Sequence, residues 1–68
     1  MRKNLIALRK EAALSQFSLS QLMGISERHY RELEAGTSDG SIKVWQALKR
    51  LLNAPNIDYL LEQVDTPE

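Results

Sequence analysis

Four charged residues, Glu27, Arg28, Arg31 and Glu32, sit within two helical turns of each other in the segment between Ser26 and Gly36. At about 100° per residue they form one ridge, opposite Tyr30 and Leu33, with His29 on one flank and Glu34 on the other. Arginine can fork onto guanine and glutamate can accept from the cytosine amino group, so such a ridge could read base edges. A helix anchored by one edge, with polar side chains turned outward, suits the major groove. The plainer reading of the same ridge is a solvated helix face. A second feature is Arg9, which falls inside an apolar stripe with Leu5, Leu8 and Ala12. A buried guanidinium needs a carboxylate partner, and Glu34, at the edge of the third helix's core face, is the candidate. The alternative is that Arg9 snorkels to solvent along its stem.

Other chemistries are poorly served. His29 is the only histidine and no cysteine is present, so neither a zinc site nor a disulfide framework is expected. His29 has no evident base-orienting neighbour and no glycine-rich nucleophile turn accompanies it, so no enzyme is expected. Neither a cofactor nor a small-molecule ligand is indicated.

The elements that must position these residues read as helices almost throughout, and strand signals are weak. A first helix is expected from Lys3 to about Ala12. Ser15 caps a second, whose inner face is read as Leu19, Leu22 and Met23. Gly24 supplies the left-handed residue that ends it, and Ser26 caps the third helix, which Gly36 stops. After the loop Thr37-Ser38-Asp39-Gly40, Ser41 caps a fourth helix to about Leu52. Asn53-Ala54-Pro55 breaks the chain, and Asn56 caps a short fifth helix carrying Ile57, Leu60, Leu61 and Val64. The expectation is an all-α domain of five helices over residues 1–64, with residues 65–68 as a frayed tail.

With 68 residues, 43% hydrophobic and 26% charged, the chain has room for one marginal core. No apolar run approaches the roughly 20 residues of a membrane span. The N-terminal stretch lacks a signal peptide's apolar core and cleavage site, so the expected compartment is the cytoplasm. Net charge is zero, which by itself argues against nucleic acid. Its distribution is uneven. Residues 1–50 carry all nine Lys and Arg against five acids (Glu11, Glu27, Glu32, Glu34, Asp39), a surplus of four positive charges. Residues 51–68 carry four acids and no base.

The pieces LRKEAALSQFSLSQLMGIS, HYRELEAG, SIKVWQALKRLL and NIDYLL together resemble the phage-repressor and Cro type of helix-turn-helix domain, the XRE-like family. The most specific parts are Leu14-Ser15-Gln16, the small Ser20, Gly24, Ile25 and Leu33-Glu34-Ala35-Gly36. The resemblance implies a compact lambda-repressor-like fold, with helices two and three forming the DNA-binding unit. It also implies a buried ion pair between Arg9 and Glu34 and a phosphate-contacting, orienting role for Gln16. Ser26, Glu27, Arg28, Arg31 and Glu32 would face bases or nearby phosphates.

The chain departs from that pattern in two places. Ala13 stands where the family usually has glycine, which costs on the order of 1 kcal/mol if the backbone there is left-handed. The loop after Gly36 lacks the usual Lys or Arg, so backbone anchoring is expected to lean on helix amides, hydroxyls, Lys43, Arg2 and Lys3. Few phosphate contacts per copy favour two copies on two half-sites. The expected function is a sequence-specific regulator of transcription, a repressor acting as a homodimer on palindromic double-stranded DNA. The alternative is a protein-interaction adaptor that keeps the fold without binding DNA. Val44, Leu48, Leu51 and Tyr59 are the candidate dimer residues, Trp45 is expected in the core, and Phe17 on the outer side of the second helix.

Overall fold

The computed structural model describes residues 1–63; Val64 and the expected tail at 65–68 lie outside the described residues. Among the described residues there are five α-helices and no strand: α1 Lys3–Glu11, α2 Gln16–Met23, α3 Glu27–Ala35, α4 Ile42–Leu52 and α5 Ile57–Leu61. Four of the five begin as their sequences dictate. The side chains of Ser15, Ser26, Ser41 and Asn56 each accept from the backbone N–H three residues on, which satisfies a donor that the helix start leaves open.

The helix ends share a device that is less visible in sequence. After α1, Leu14 N–H donates to Arg9 O and Ala13 N–H to Lys10 O. After α2, Ile25 N–H donates to Ser20 O and Gly24 N–H to Gln21 O. Bonds of the same six-residue span, Thr37 to Glu32 and Ala54 to Lys49, close α3 and α4. Each closure turns on one residue with positive φ: Ala13, Gly24, Gly36 and Asn53. Around Gly24 a Cβ would meet nothing within 4 Å, so glycine is there for its backbone alone. Ala13, at φ 60°, adopts the same conformation without that freedom. The first helix therefore stops at Glu11, and Ala12 is exposed rather than part of an inner face.

One core joins all five helices: Leu5, Leu19, Tyr30, Leu33, Trp45, Leu48, Leu52, Ala54 and Leu60. Leu8, Met23, Ile25, Val44, Ile57 and Leu61 pack around it. Helix α2 rests against α3 and α4, α1 against α3 and α5, and α5 against α4. Leu22, expected inside, is 59% exposed. The inner face of α2 is centred between Leu19, Ser20 and Met23, and Leu22 lies about 100° round the helix from it. The small Ser20 takes the inward place, fully buried, with its hydroxyl donating to Phe17 O at 2.7 Å.

Candidate functional site

Helix α3 is held from behind by three buried residues, Tyr30, Leu33 and Glu34. Glu34 is the unusual one, a carboxylate with only 4% of the residue exposed. Its burial is tolerated because three donors converge on it. Arg9 Nε reaches Oε2 at 2.5 Å, the Tyr30 hydroxyl reaches the same oxygen at 2.7 Å, and Gln16 Nε2 reaches Oε1 at 2.8 Å. Arg9 in turn donates through Nη1 to Leu14 O at 2.8 Å, in the connection between α1 and α2. The expected pairing of Arg9 with Glu34 is present, and Arg9 does not snorkel. Burial, reinforced by the bond to Glu34, pushes the Tyr30 phenol above its ordinary value, so it remains a neutral donor. Gln16 is turned inward onto Glu34 through Nε2.

The outward ridge is where the helical wheel placed it. Arg31 Nη2 lies 2.9 Å from Glu27 Oε2, and Arg28 Nε lies 3.8 Å from Glu32 Oε2, both pairs one turn apart along the helix. The Arg28 side chain is 91% exposed. Ser26, whose hydroxyl accepts from His29 N–H at 3.0 Å, is exposed at the helix start. Lys43 is exposed in the first turn of α4, at the next helix N-terminus along the chain.

Two expectations are corrected. Arg2, expected at a DNA phosphate, is 2% exposed and faces inward. Its Nη1 donates to Leu33 O at 2.7 Å and to Ser38 O at 2.9 Å, and its guanidinium lies 4.9 Å from the centre of the Trp45 ring. The negative end of the α3 dipole and the carbonyls of the following loop hold this cation, and the Asp39 carboxylate sits 3.7 Å from Nη2. Trp45 Nε1 donates to Asp39 O at 2.6 Å, so the loop is tied from both sides. The second correction is Leu48, which is wholly enclosed in the core and offers nothing to another chain. It follows Trp45 by three positions and precedes Leu52 by four, on the stripe that faces the other helices. Of the remaining dimer candidates, Leu51 and Tyr59 are exposed and Val44 is half-buried. Trp45 is in the core and Phe17 is exposed, as expected.

Sequence reasoning missed Tyr30 as a polar partner and Arg2 as a buried one. Tyr30 precedes Glu34 by four residues on one helix face, a spacing that could have linked them. No local signal marks Arg2, whose partners lie more than thirty residues away. Among the described residues no group of His, Asp and Glu is arranged to hold a metal, and no helix is long and apolar enough to cross a membrane. Compared with protein-family models, curated proteins and solved structures, the chain gives no match.

Proposed function

We propose that this chain is a sequence-specific DNA-binding regulator, a repressor that places α3 in the major groove and acts as a homodimer on palindromic half-sites. The observation that carries this reading is the two-sidedness of α3. One edge is locked by Tyr30, Leu33 and Glu34, while Arg28 and Arg31 project from the other. Their pairing with Glu32 and Glu27 does not oppose the reading. Exposed pairs one turn apart contribute only about 0.3–0.5 kcal/mol. A bidentate arginine on guanine discriminates by roughly 1–3 kcal/mol. Exchange of partners on binding is therefore favourable, and the released Glu27 and Glu32 are then placed to accept from cytosine. The exposed starts of α3 and α4, with Ser26, Ser41 and Lys43, suit backbone phosphates.

Binding by a single copy is expected to be modest, since Arg2 is occupied in the core and the loop carries Asp39. A second copy multiplies affinity by linking half-sites about one DNA turn apart. Leu51 and Tyr59, with Val44, remain the surface for that contact. The second reading, a protein-binding adaptor, draws on one feature, the mutual neutralisation of all four ridge charges.

Selection from a random duplex pool, followed by gel shift, separates the two. Wild type should enrich one motif. Arg28→Ala should lose about 1–3 kcal/mol on that motif and relax preference at one or two positions. No enrichment by wild type sinks the DNA reading, and equal loss on every sequence reassigns Arg28 to a phosphate. Sedimentation with and without the selected palindrome tests the dimer; one monomer per duplex at micromolar concentration overturns it.

A further inference from the structure

We propose that Tyr30 is a positioning residue: by holding the Glu34 carboxylate against Arg9, its hydroxyl fixes the Gln16 amide at the start of α2 in one orientation toward a partner. An ionised carboxylate only accepts, so each of its three neighbours must present a donor. Arg9 Nε and the Tyr30 hydroxyl both occupy Oε2, which leaves Oε1 directed at α2. Gln16 must therefore turn its nitrogen inward, and its carbonyl oxygen and second N–H are left for whatever approaches from outside. Tyr30 can enforce this because its ring is fully buried in the core and cannot follow a moving carboxylate. One oxygen pair thus sets the relation of α1, α2 and α3.

Phenylalanine at this place would fill the same core volume while removing one donor. Oε2 would then be held by Arg9 alone and the carboxylate would gain a rotation. A shallow groove of about 310 Å³, lined by Arg9, Gln16, Arg31 and Glu34 among others, opens beside it and would let water compete for the freed oxygen. Gln16 would then sample more than one orientation.

The identity of the partner rests on the DNA-binding reading; the restraint on Gln16 does not. The test therefore has two arms. In the first, the side-chain amide protons of Gln16 are followed by NMR in wild type and Tyr30→Phe, with the exposed Gln21 as internal reference. Wild type should show shifted, slowly exchanging Gln16 protons. In Tyr30→Phe they should move toward the Gln21 values and exchange roughly tenfold faster. In the second arm, affinity for the selected duplex should fall about three- to tenfold with Tyr30→Phe, and no further when Gln16→Ala is already present. A general loosening of the fold would weaken both backgrounds alike. Unchanged Gln16 protons in Tyr30→Phe, or an equal loss in the Gln16→Ala background, overturns the proposal. Should wild type select no duplex, the DNA reading fails and this inference is decided by the Gln16 protons alone.

Discussion

Truncating Arg2 to alanine should destabilise the domain by about 2–4 kcal/mol, although sequence reasoning placed this residue at a DNA phosphate. The guanidinium makes two bonds to carbonyls, Leu33 O at 2.7 Å and Ser38 O at 2.9 Å. Hydrogen bonds involving a charged group are worth about 1.5–3 kcal/mol each. The Trp45 face adds on the order of 1 kcal/mol. Two effects bring the total down. The buried Arg2 Nε has no hydrogen-bond partner, so part of its desolvation is uncompensated in the native state. Of the two carbonyls freed by truncation, that of Ser38 lies in the loop after α3 and is only part-buried, so water can replace the lost donor there. A domain of this length has roughly 3–10 kcal/mol of stability in total, so the loss would bring it near the threshold of unfolding.

Urea titration followed by Trp45 fluorescence and by circular dichroism would measure the effect. Trp45 is the only tryptophan and lies against Arg2, so the fluorescence reports this contact directly. Arg2→Lys should recover only part of the loss, because an ammonium can donate to both carbonyls but has no planar face to lay on the Trp45 ring. Asp39→Asn should leave the midpoint in place, since that carboxylate is 99% exposed and lies 3.7 Å away. Unfolding of Arg2→Ala at the wild-type urea concentration would rule out this stabilising role for Arg2. A drop in DNA affinity and in its salt dependence, with stability intact, would restore the phosphate contact in its place.

Three further outcomes follow from the same geometry. Arg9→Ala and Glu34→Ala should each cost about 3–5 kcal/mol by leaving a buried charge without its partner, and a double-mutant cycle lacking coupling would contradict this. Ala13→Gly should stabilise by about 1 kcal/mol, because alanine at φ 60° carries the left-handed penalty that glycine avoids; a lowered melting temperature would count against it. Tyr30 has a raised folded-state pKa against an ordinary value of 10.0. Its contribution should be intact below pH 10 and should decline above it, by about 1.4 kcal/mol per pH unit relative to Tyr30→Phe; parallel stability curves for the two proteins would refute the assignment.

Helix boundaries were legible in the sequence because their causes are local. A serine or asparagine side chain reaches an amide three residues on, and Gly24 and Gly36 adopt positive φ at little cost whatever surrounds them. The charged ridge on α3 was equally legible, since i,i+4 spacing fixes its pairs within one helix. Arg9 and Glu34 could be paired across helices because Arg9 lies inside an apolar stripe, where an unmatched charge is too costly to leave, and Glu34 stands at the edge of the core face of α3.

What the wheel could not supply was how much of each face a neighbour covers. Leu22 was assigned inward and lies exposed, because the small Ser20 lets α2 settle on a different flank. Leu48, expected outward, lies in the core, because α5 and α2 close over the stripe it shares with Trp45 and Leu52. Arg2 depended wholly on tertiary structure. Its site consists of carbonyls from the end of α3 and the following loop together with an indole face from α4. Backbone acceptors leave no mark in a sequence, since every residue carries one, and only the packed chain determines which of them converge on one cation.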